Sequence, residues 1–125
     1  MLGEPQRRFT PVHVVGTNGK SSVTAMTIAL LRKHGRTAGG YVSPHSLRWS
    51  ERVRVDGEEI DPERFAEAVE RVARAAAEVE RQLGPQERIT QFEAATAAAF
   101  VALAEAGVEF GVIEAGLGGR LDATN

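Results

Sequence analysis

The chain has 125 residues, no cysteine, and 15 Lys and Arg against 17 Asp and Glu, a formal net charge of −2. This is one domain's worth of chain, with no disulfide or thiolate chemistry, and its composition fits a reducing, cytoplasmic setting. No basic field invites nucleic acid, no apolar run reaches the roughly 18 residues of a membrane helix, and Met1–Arg8 lacks the apolar core of a signal peptide.

The first element is a buried-type strand, Val12–Val15, which delivers the backbone into Gly16-Thr17-Asn18-Gly19-Lys20-Ser21-Ser22. A helix over Ser21–His34 follows at once, with Gly35 at its stop position. Strand, glycine-bracketed turn and helix start build a phosphate cradle. Backbone N–H groups converge on an anion where the helix dipole also favours negative charge. Lys20 adds a positive charge for the β- and γ-phosphates, and a following hydroxyl reaches a bound magnesium ion. The glycine that the longest form of this loop places at position 14 is Val14, so the loop is the shorter Gly16-x-x-Gly19-Lys20 form. Along the helix, Val23, Met26, Leu30 and Leu31 recur near helical spacing and are the expected buried stripe.

A second strand, Ala38–Val42, leads into Ser43-Pro44-His45, and Arg52–Val55 alternates as a half-exposed strand closed by an Asp56-Gly57 turn. Ser43 is a candidate metal oxygen. His45 reads as a structural or substrate-orienting residue, since no second histidine is spaced to help it bind a metal. His13 reads as a satisfied strand histidine, and His34 as a cation at a helix end.

Asp61-Pro62 caps a long helix to about Leu83, with the stripe Phe65, Val69, Val72, Ala76, Val79 and Leu83. Glu67–Arg71 and Glu70–Arg74 pair along its solvated face, and Gly84-Pro85 ends it. Phe92–Ala106, alanine-rich and closed by Gly107, is a third, nearly buried helix. Phe110–Ile113 is a core strand running into Glu114, a carboxylate at the crevice side where open α/β sheets bind ligands and hard cations find oxygen. Gly116-Leu117-Gly118-Gly119 then lets the backbone approach a ligand closely, and Arg120 offers a planar fork to carboxylate or phosphate. The alternation of elements is that of an α/β layered domain.

Leu2-Gly3-x-Pro5, His13 to Lys20, Tyr41 to His45 with Glu51-Arg52-Val53, Thr90 to Glu93, and Glu114 to Asn125 occur in one order along the chain. Together they resemble the folylpolyglutamate synthase and dihydrofolate synthase family, among the Mur-ligase-like ATP-dependent amide ligases. The Ser43-Pro44-His45 and Gly116–Asn125 segments separate this resemblance from other Mur-type ligases. It implies a P-loop-type, mostly parallel sheet flanked by helices, part of a Mur-ligase-like central ATP-binding domain. Residues 1–125 are then expected to be incomplete at both ends and without the C-terminal domain, a piece of a monomeric ligase of roughly 400 residues, far above one domain.

The implied reaction is ATP-dependent addition of L-glutamate to dihydropteroate or a folate through an acyl phosphate, with the piece itself inactive alone. By position, Thr17, Asn18, Gly19 and Lys20, with Ser21 and Ser22 beside them, hold ATP. Lys20 and Glu114 carry the catalytic charge, Ser43 and Glu114 ligate Mg²⁺, and Thr90, Arg120 and Ala123 hold the pterin-bearing substrate. Three positions depart from the family pattern: Ser21 stands where glycine is usual, Val42 where a small hydroxyl residue is common, and Trp49-Ser50 where an aromatic and Asn or Thr are frequent. A nucleotide-binding module without ligation and another Mur-type ligase remain alternatives at the level of sequence.

Overall fold

The computed structural model describes residues 1–44, 47–84 and 87–125. In chain order the elements are β1 (Thr10–Val14), α1 (Lys20–Lys33), β2 (Ala38–Tyr41), β3 (Val53–Val55), β4 (Glu58–Glu59), α2 (Pro62–Gln82), α3 (Gln91–Glu105) and β5 (Phe110–Glu114). Short 3₁₀ segments, Pro5–Arg7 and Trp49–Arg52, precede β1 and β3. Arg52, expected in a strand, belongs to that second segment, and the two-residue β4 has too little pattern to be read in advance.

The sheet runs β1-β5-β2-β3-β4. The expected parallel strands are the first three of this order, with β5 between β1 and β2; β3 and β4 add an antiparallel edge. Val14 pairs with Glu114, and Tyr41 with Ile113. The carboxyl ends of β1, β5 and β2 therefore finish along one side of the sheet. The loops beginning at Val15, Ala115 and Val42 leave from that side.

α1 covers one face through Val14, Ile28, Ala38 and Val112. α3 covers the other, and α2 lies over α3; Tyr41, Phe65, Leu103 and Ile113 belong to that larger cluster. Burying each such side chain stabilises the fold by about 1.5–3 kcal/mol. The sequence Ala38-Gly39-Gly40-Tyr41 makes the sandwich this thin. A Cβ on Gly39 would stand 2.4 Å from Leu103 Cδ2 of α3, and one on Gly40 2.5 Å from Ile28 Cδ1 of α1. Both helices close on β2 because two adjacent residues lack side chains.

Helix ends follow the expected chemistry. Asp61 accepts from Glu63 N–H at the start of α2, and Gly107 ends α3 with φ 69°. Asp56 and Gly57 both have positive φ, as a two-residue hairpin turn requires. α2 ends at Gln82, close to the expected Leu83; Pro85, expected to help end it, and His45 lie outside the described residues.

The stripe expected for α1 is corrected. Thr24 and Ile28 are its buried residues, with Leu31 half-buried, whereas Val23, Met26 and Leu30 are 46%, 58% and 58% exposed. Those three lie off the Thr24–Ile28 face that packs on the sheet. α2 likewise buries Phe65, Ala68 and Val72 while Val69 and Leu83 stay exposed. Its Glu70–Arg74 pair forms at 3.8 Å, but Arg71 reaches across to Glu105 of α3 instead of to Glu67. Among the described residues no helix is long and apolar enough to cross a membrane.

Candidate functional site

The loop after β1 turns through Gly16, φ 147°, and Gly19, φ 75°, both in backbone regions that favour glycine. Gly19 caps α1 without a side chain, so the first N–H groups of the helix face the loop with no competing side-chain acceptor. Thr17, Asn18, Gly19 and Ser22 are exposed there. Lys20 Nζ donates to the carbonyl of Gly16 at 2.9 Å, folding the cation back over the turn.

Facing this loop is the one that follows β5. Val15, Gly16, Thr17 and Lys20 on one side, and Leu117, Gly118 and Gly119 on the other, line a cavity of about 450 Å³. The approach is close: a Cβ on Gly119 would stand 3.1 Å from Val15 Cγ1. Two glycine-rich segments, a hundred residues apart in sequence, thus form opposite walls of one crevice.

Ser21 joins the two elements directly. Its Oγ lies 3.0 Å from each carboxylate oxygen of Glu114 and donates to them. Glu114 is 3% exposed at the end of β5, and a buried carboxylate needs more complement than one hydroxyl supplies. Ser21 and Ser43 line a second cavity of about 470 Å³ together with Thr24, Pro44 and Arg54. Carboxylate and hydroxyl oxygens such as those of Glu114 and Ser21 suit a hard divalent cation that keeps several waters. No group of three or more His, Cys, Asp or Glu side chains comes together among the described residues.

Beyond the crevice, the loop from Gly116 to Thr124 is closed by Asp122. Its Oδ2 accepts the N–H of Leu117 at 2.9 Å and its Oδ1 the N–H of Thr124 at 3.1 Å. Burial pushes the Asp122 carboxyl up, but bonds from the Thr124 hydroxyl and from the N–H groups of Leu117, Thr124 and Gly116 outweigh it and hold it below the usual range. Arg120 is exposed on this loop and Ala123 half-buried. A Cβ on Gly116 would stand 3.0 Å from Phe92 Cζ, so the first turn of α3 packs against the same loop.

Thr90 stands at that first turn as the cap of α3. Its hydroxyl lies 2.7 Å from Glu93 Oε2 and takes the Glu93 N–H at 3.2 Å, while its own N–H bonds to Glu93 Oε2 at 2.8 Å. These bonds from Thr90 lower the Glu93 carboxyl below its ordinary value. The structure thus brings Thr17 and Lys20 together with Leu117–Gly119 around one crevice, bonds Ser21, which lines a second cavity with Ser43, to Glu114, and packs the first turn of α3 against the loop carrying Arg120 and Ala123.

Sequence reasoning missed three participants. Phe92, Asp122 and Thr124 enter the sequence reading only as helix or motif letters, without a role at the site. An Asp-x-Thr spacing does signal a turn in which the carboxylate takes the N–H two residues on. The stacking of the Arg52 guanidinium 4.3 Å from the Trp49 ring centroid and 5.8 Å from that of Phe92 carried no sequence signal.

No protein-family model matches the chain. Among individual proteins it is 39% identical over 132 residues to the dihydrofolate synthase/folylpolyglutamate synthase of Mycobacterium tuberculosis, covering 100% of this chain and 27% of that one. It is 37% identical over 125 residues to the enzyme of the same description from Bacillus subtilis, covering 99% and 29%. A solved structure of Mycobacterium tuberculosis folylpolyglutamate synthase complexed with ADP superposes with a TM-score of 0.93 at 39% identity, over 98% of this chain and 28% of the other. An FPGS–AMPPCP–folate complex gives 0.87 at 39% identity, over 99% and 30%. The chain spans less than a third of the length of these relatives.

Proposed function

From its match, over its whole length, to an N-terminal part of the folylpolyglutamate synthase/dihydrofolate synthase family in sequence and fold, we propose that this chain carries the ATP- and Mg²⁺-binding part of a ligase. The ligase joins L-glutamate to dihydropteroate or to a folate in the cytoplasm, and residues 1–125 are part of its ATP-binding domain. The observation that carries the reading is the crevice between Gly16–Lys20 and Leu117–Gly119, with Ser21, the residue after Lys20, bonded to Glu114.

Joining a carboxylate to an amine requires a leaving group on the carboxyl carbon. Phosphoryl transfer from ATP makes an acyl phosphate and releases ADP; the glutamate amine then attacks the acyl carbon, phosphate leaves, and the amine gives up a proton. Thr17, Asn18, Gly19 and the first N–H groups of α1 hold the phosphates, with Ser21 and Ser22 at the helix start. Lys20, freed from the Gly16 carbonyl, neutralises charge on the transferred group. Glu114 and Ser43 would hold Mg²⁺, which would neutralise phosphate charge, and Ser21 would lend a further oxygen beside Glu114. Arg120, Ala123 and Thr90 hold the pterin-bearing substrate. Because the Thr90 hydroxyl is spent on the α3 cap, its contact runs through a remaining hydroxyl lone pair or its backbone. Positioning and charge neutralisation supply most of the catalysis in such a site.

The test has two parts. Isothermal titration of the 125-residue chain with Mg-ATP should give a heat that disappears in Lys20→Ala. At the protein's natural length, ADP should be released only when ATP, Mg²⁺, L-glutamate and dihydropteroate or folate are all present. ADP release independent of glutamate would favour a nucleotide-binding module without ligation.

A further inference from the structure

A second long-range side-chain bridge lies outside the Ser21–Glu114 pair. His13 Nε2 is 2.8 Å from Thr124 Oγ1, across 111 residues of sequence. The Thr124 hydroxyl in turn lies 2.6 Å from Asp122 Oδ1. A threonine hydroxyl has one hydrogen, and an ionised carboxylate can only accept. The hydrogen of Thr124 is therefore committed to Asp122, and the proton between His13 and Thr124 belongs to His13 Nε2. The chain of donors runs from β1 to the loop: His13 to Thr124 to Asp122.

The placement of His13 gives this bridge a purpose beyond packing. Val12 and Val14 on either side of it pack toward α1, so His13 projects from the opposite face, that of α3. It is exposed on an edge strand, where a β-branched residue would suit the strand better. The loop it reaches contains Gly116, Gly118 and Gly119 and has little stiffness of its own. Asp122 ties the two ends of that loop together, but only the His13 bond joins Thr124 to β1 among the described side chains.

We propose that His13 is a positioning residue: its Nε2–H holds the Asp122–Thr124 turn against β1 and so sets where Arg120 and Ala123 meet the pterin-bearing substrate. This role rests on the ligase reading above and adds to it a residue on a different strand from any that touches the substrate. It predicts a selective defect, in which the pterin-bearing substrate binds less well while nucleotide handling by Thr17–Lys20 is spared.

The experiment is steady-state kinetics at the protein's natural length, comparing the parent with His13→Phe, His13→Gln and Thr124→Val. Phenylalanine fills the ring space without a donor, whereas glutamine carries an amide nitrogen at similar reach. In His13→Phe and Thr124→Val the KM for dihydropteroate or folate should rise about tenfold, with the KM for ATP and kcat changed by less than about threefold. His13→Gln should recover most of the loss, and the double variant His13→Phe with Thr124→Val should be no worse than Thr124→Val alone, since that change already removes the His13 bond. An unchanged KM for the pterin substrate in His13→Phe overturns the role, as does a glutamine variant no better than phenylalanine or a parallel fall in every parameter. A parent that releases no ADP with all substrates present overturns the ligase reading itself, and this role with it. Parent turnover with an indifferent His13→Phe overturns this role alone.

Discussion

Ser21 Oγ bonds to both carboxylate oxygens of Glu114 at 3.0 Å, joining the first turn of α1 to the last residue of β5 across 93 residues of sequence. The parallel β1–β5 pairing makes this possible, because Val14 and Glu114 lie side by side and the chain after Val14 turns straight into α1. The contact is thin for its setting. A carboxylate that is 3% exposed, complemented by a single hydroxyl among the described residues, leaves room for a cation. That buried charge is what a cation would relieve.

Glu114→Gln therefore separates stability from function. Without Mg²⁺ the variant should melt within about 3 °C of the parent or above it, since a buried charge is removed and the Ser21 bond survives. The extra stabilisation that Mg-ATP gives over ATP alone should vanish. Thermal melts in the presence and absence of Mg²⁺ read both; a variant that keeps the Mg²⁺-dependent gain would show that Glu114 holds no metal.

Lys20→Ala should raise the dissociation constant for Mg-ATP at least about tenfold, or roughly 1.4 kcal/mol. Its Nζ hydrogen-bonds to the Gly16 carbonyl among the described residues, so the melting temperature should stay within about 3 °C. Titration calorimetry with a parallel melt checks this. A large cooperative loss of stability would mean that the lysine holds the loop together and does not await an anion.

Gly39→Ala should destabilise the fold by about 1–3 kcal/mol, because overpacking a close interface forces neighbours aside. The added Cβ meets Leu103 Cδ2 at 2.4 Å and the backbone oxygen of Arg54 at 2.9 Å, and the second of these cannot swing away. Gly84→Ala, with nothing within 4 Å, is the control and should change stability by less than about 0.5 kcal/mol. Urea melts of the two variants would contradict the close packing of β2 if they proved equal.

Acid should weaken the loop in a defined sense. The Asp122 carboxyl is held below its usual range by the Thr124, Leu117 and Gly116 bonds, against the upward push of burial. A depressed folded-state value means that folding favours the ionised form: this stabilisation is present above the ordinary aspartate range and is lost as pH falls through the folded value. The gap in melting temperature between the parent and Asp122→Asn should be steady from about pH 6 to 8 and shrink below about pH 4. A gap that persists unchanged into acid would mean that the carboxylate charge contributes nothing to closing the loop.

Much of the fold was legible because its signals are local. The Asp61 cap with Pro62, the Asp56-Gly57 turn, the alanine-rich α3 and the strand ending at Glu114 each sit within a few residues of their cause. The α1 stripe was misread for the opposite reason. Val23, Met26 and Leu30 have helical spacing and apolar chemistry, yet the face that packs is set by where the sheet lies, which chose Thr24 and Ile28. Periodicity gives the angular separation of side chains along a helix, not the direction of the rest of the molecule. The two-residue β4 and the 3₁₀ turn at Trp49–Arg52 are held by partners remote in sequence and have no period to detect.

The same division runs through the candidate site. The sequence by itself determined which chemical groups exist and the local geometry of each: a glycine-bracketed turn before a helix, a carboxylate after an apolar strand, a glycine-rich loop ahead of Arg120. Only the tertiary structure decided that β5 inserts between β1 and β2, which places the two glycine loops across one crevice and Ser21 against Glu114. It also decided that Thr90 is occupied as a helix cap and that His13 reaches Thr124. Turns and caps follow from backbone sterics over four or five residues. Strand order follows from the joint burial of α1 on one face of the sheet and α3 on the other, a sum over the whole chain that no short segment contains.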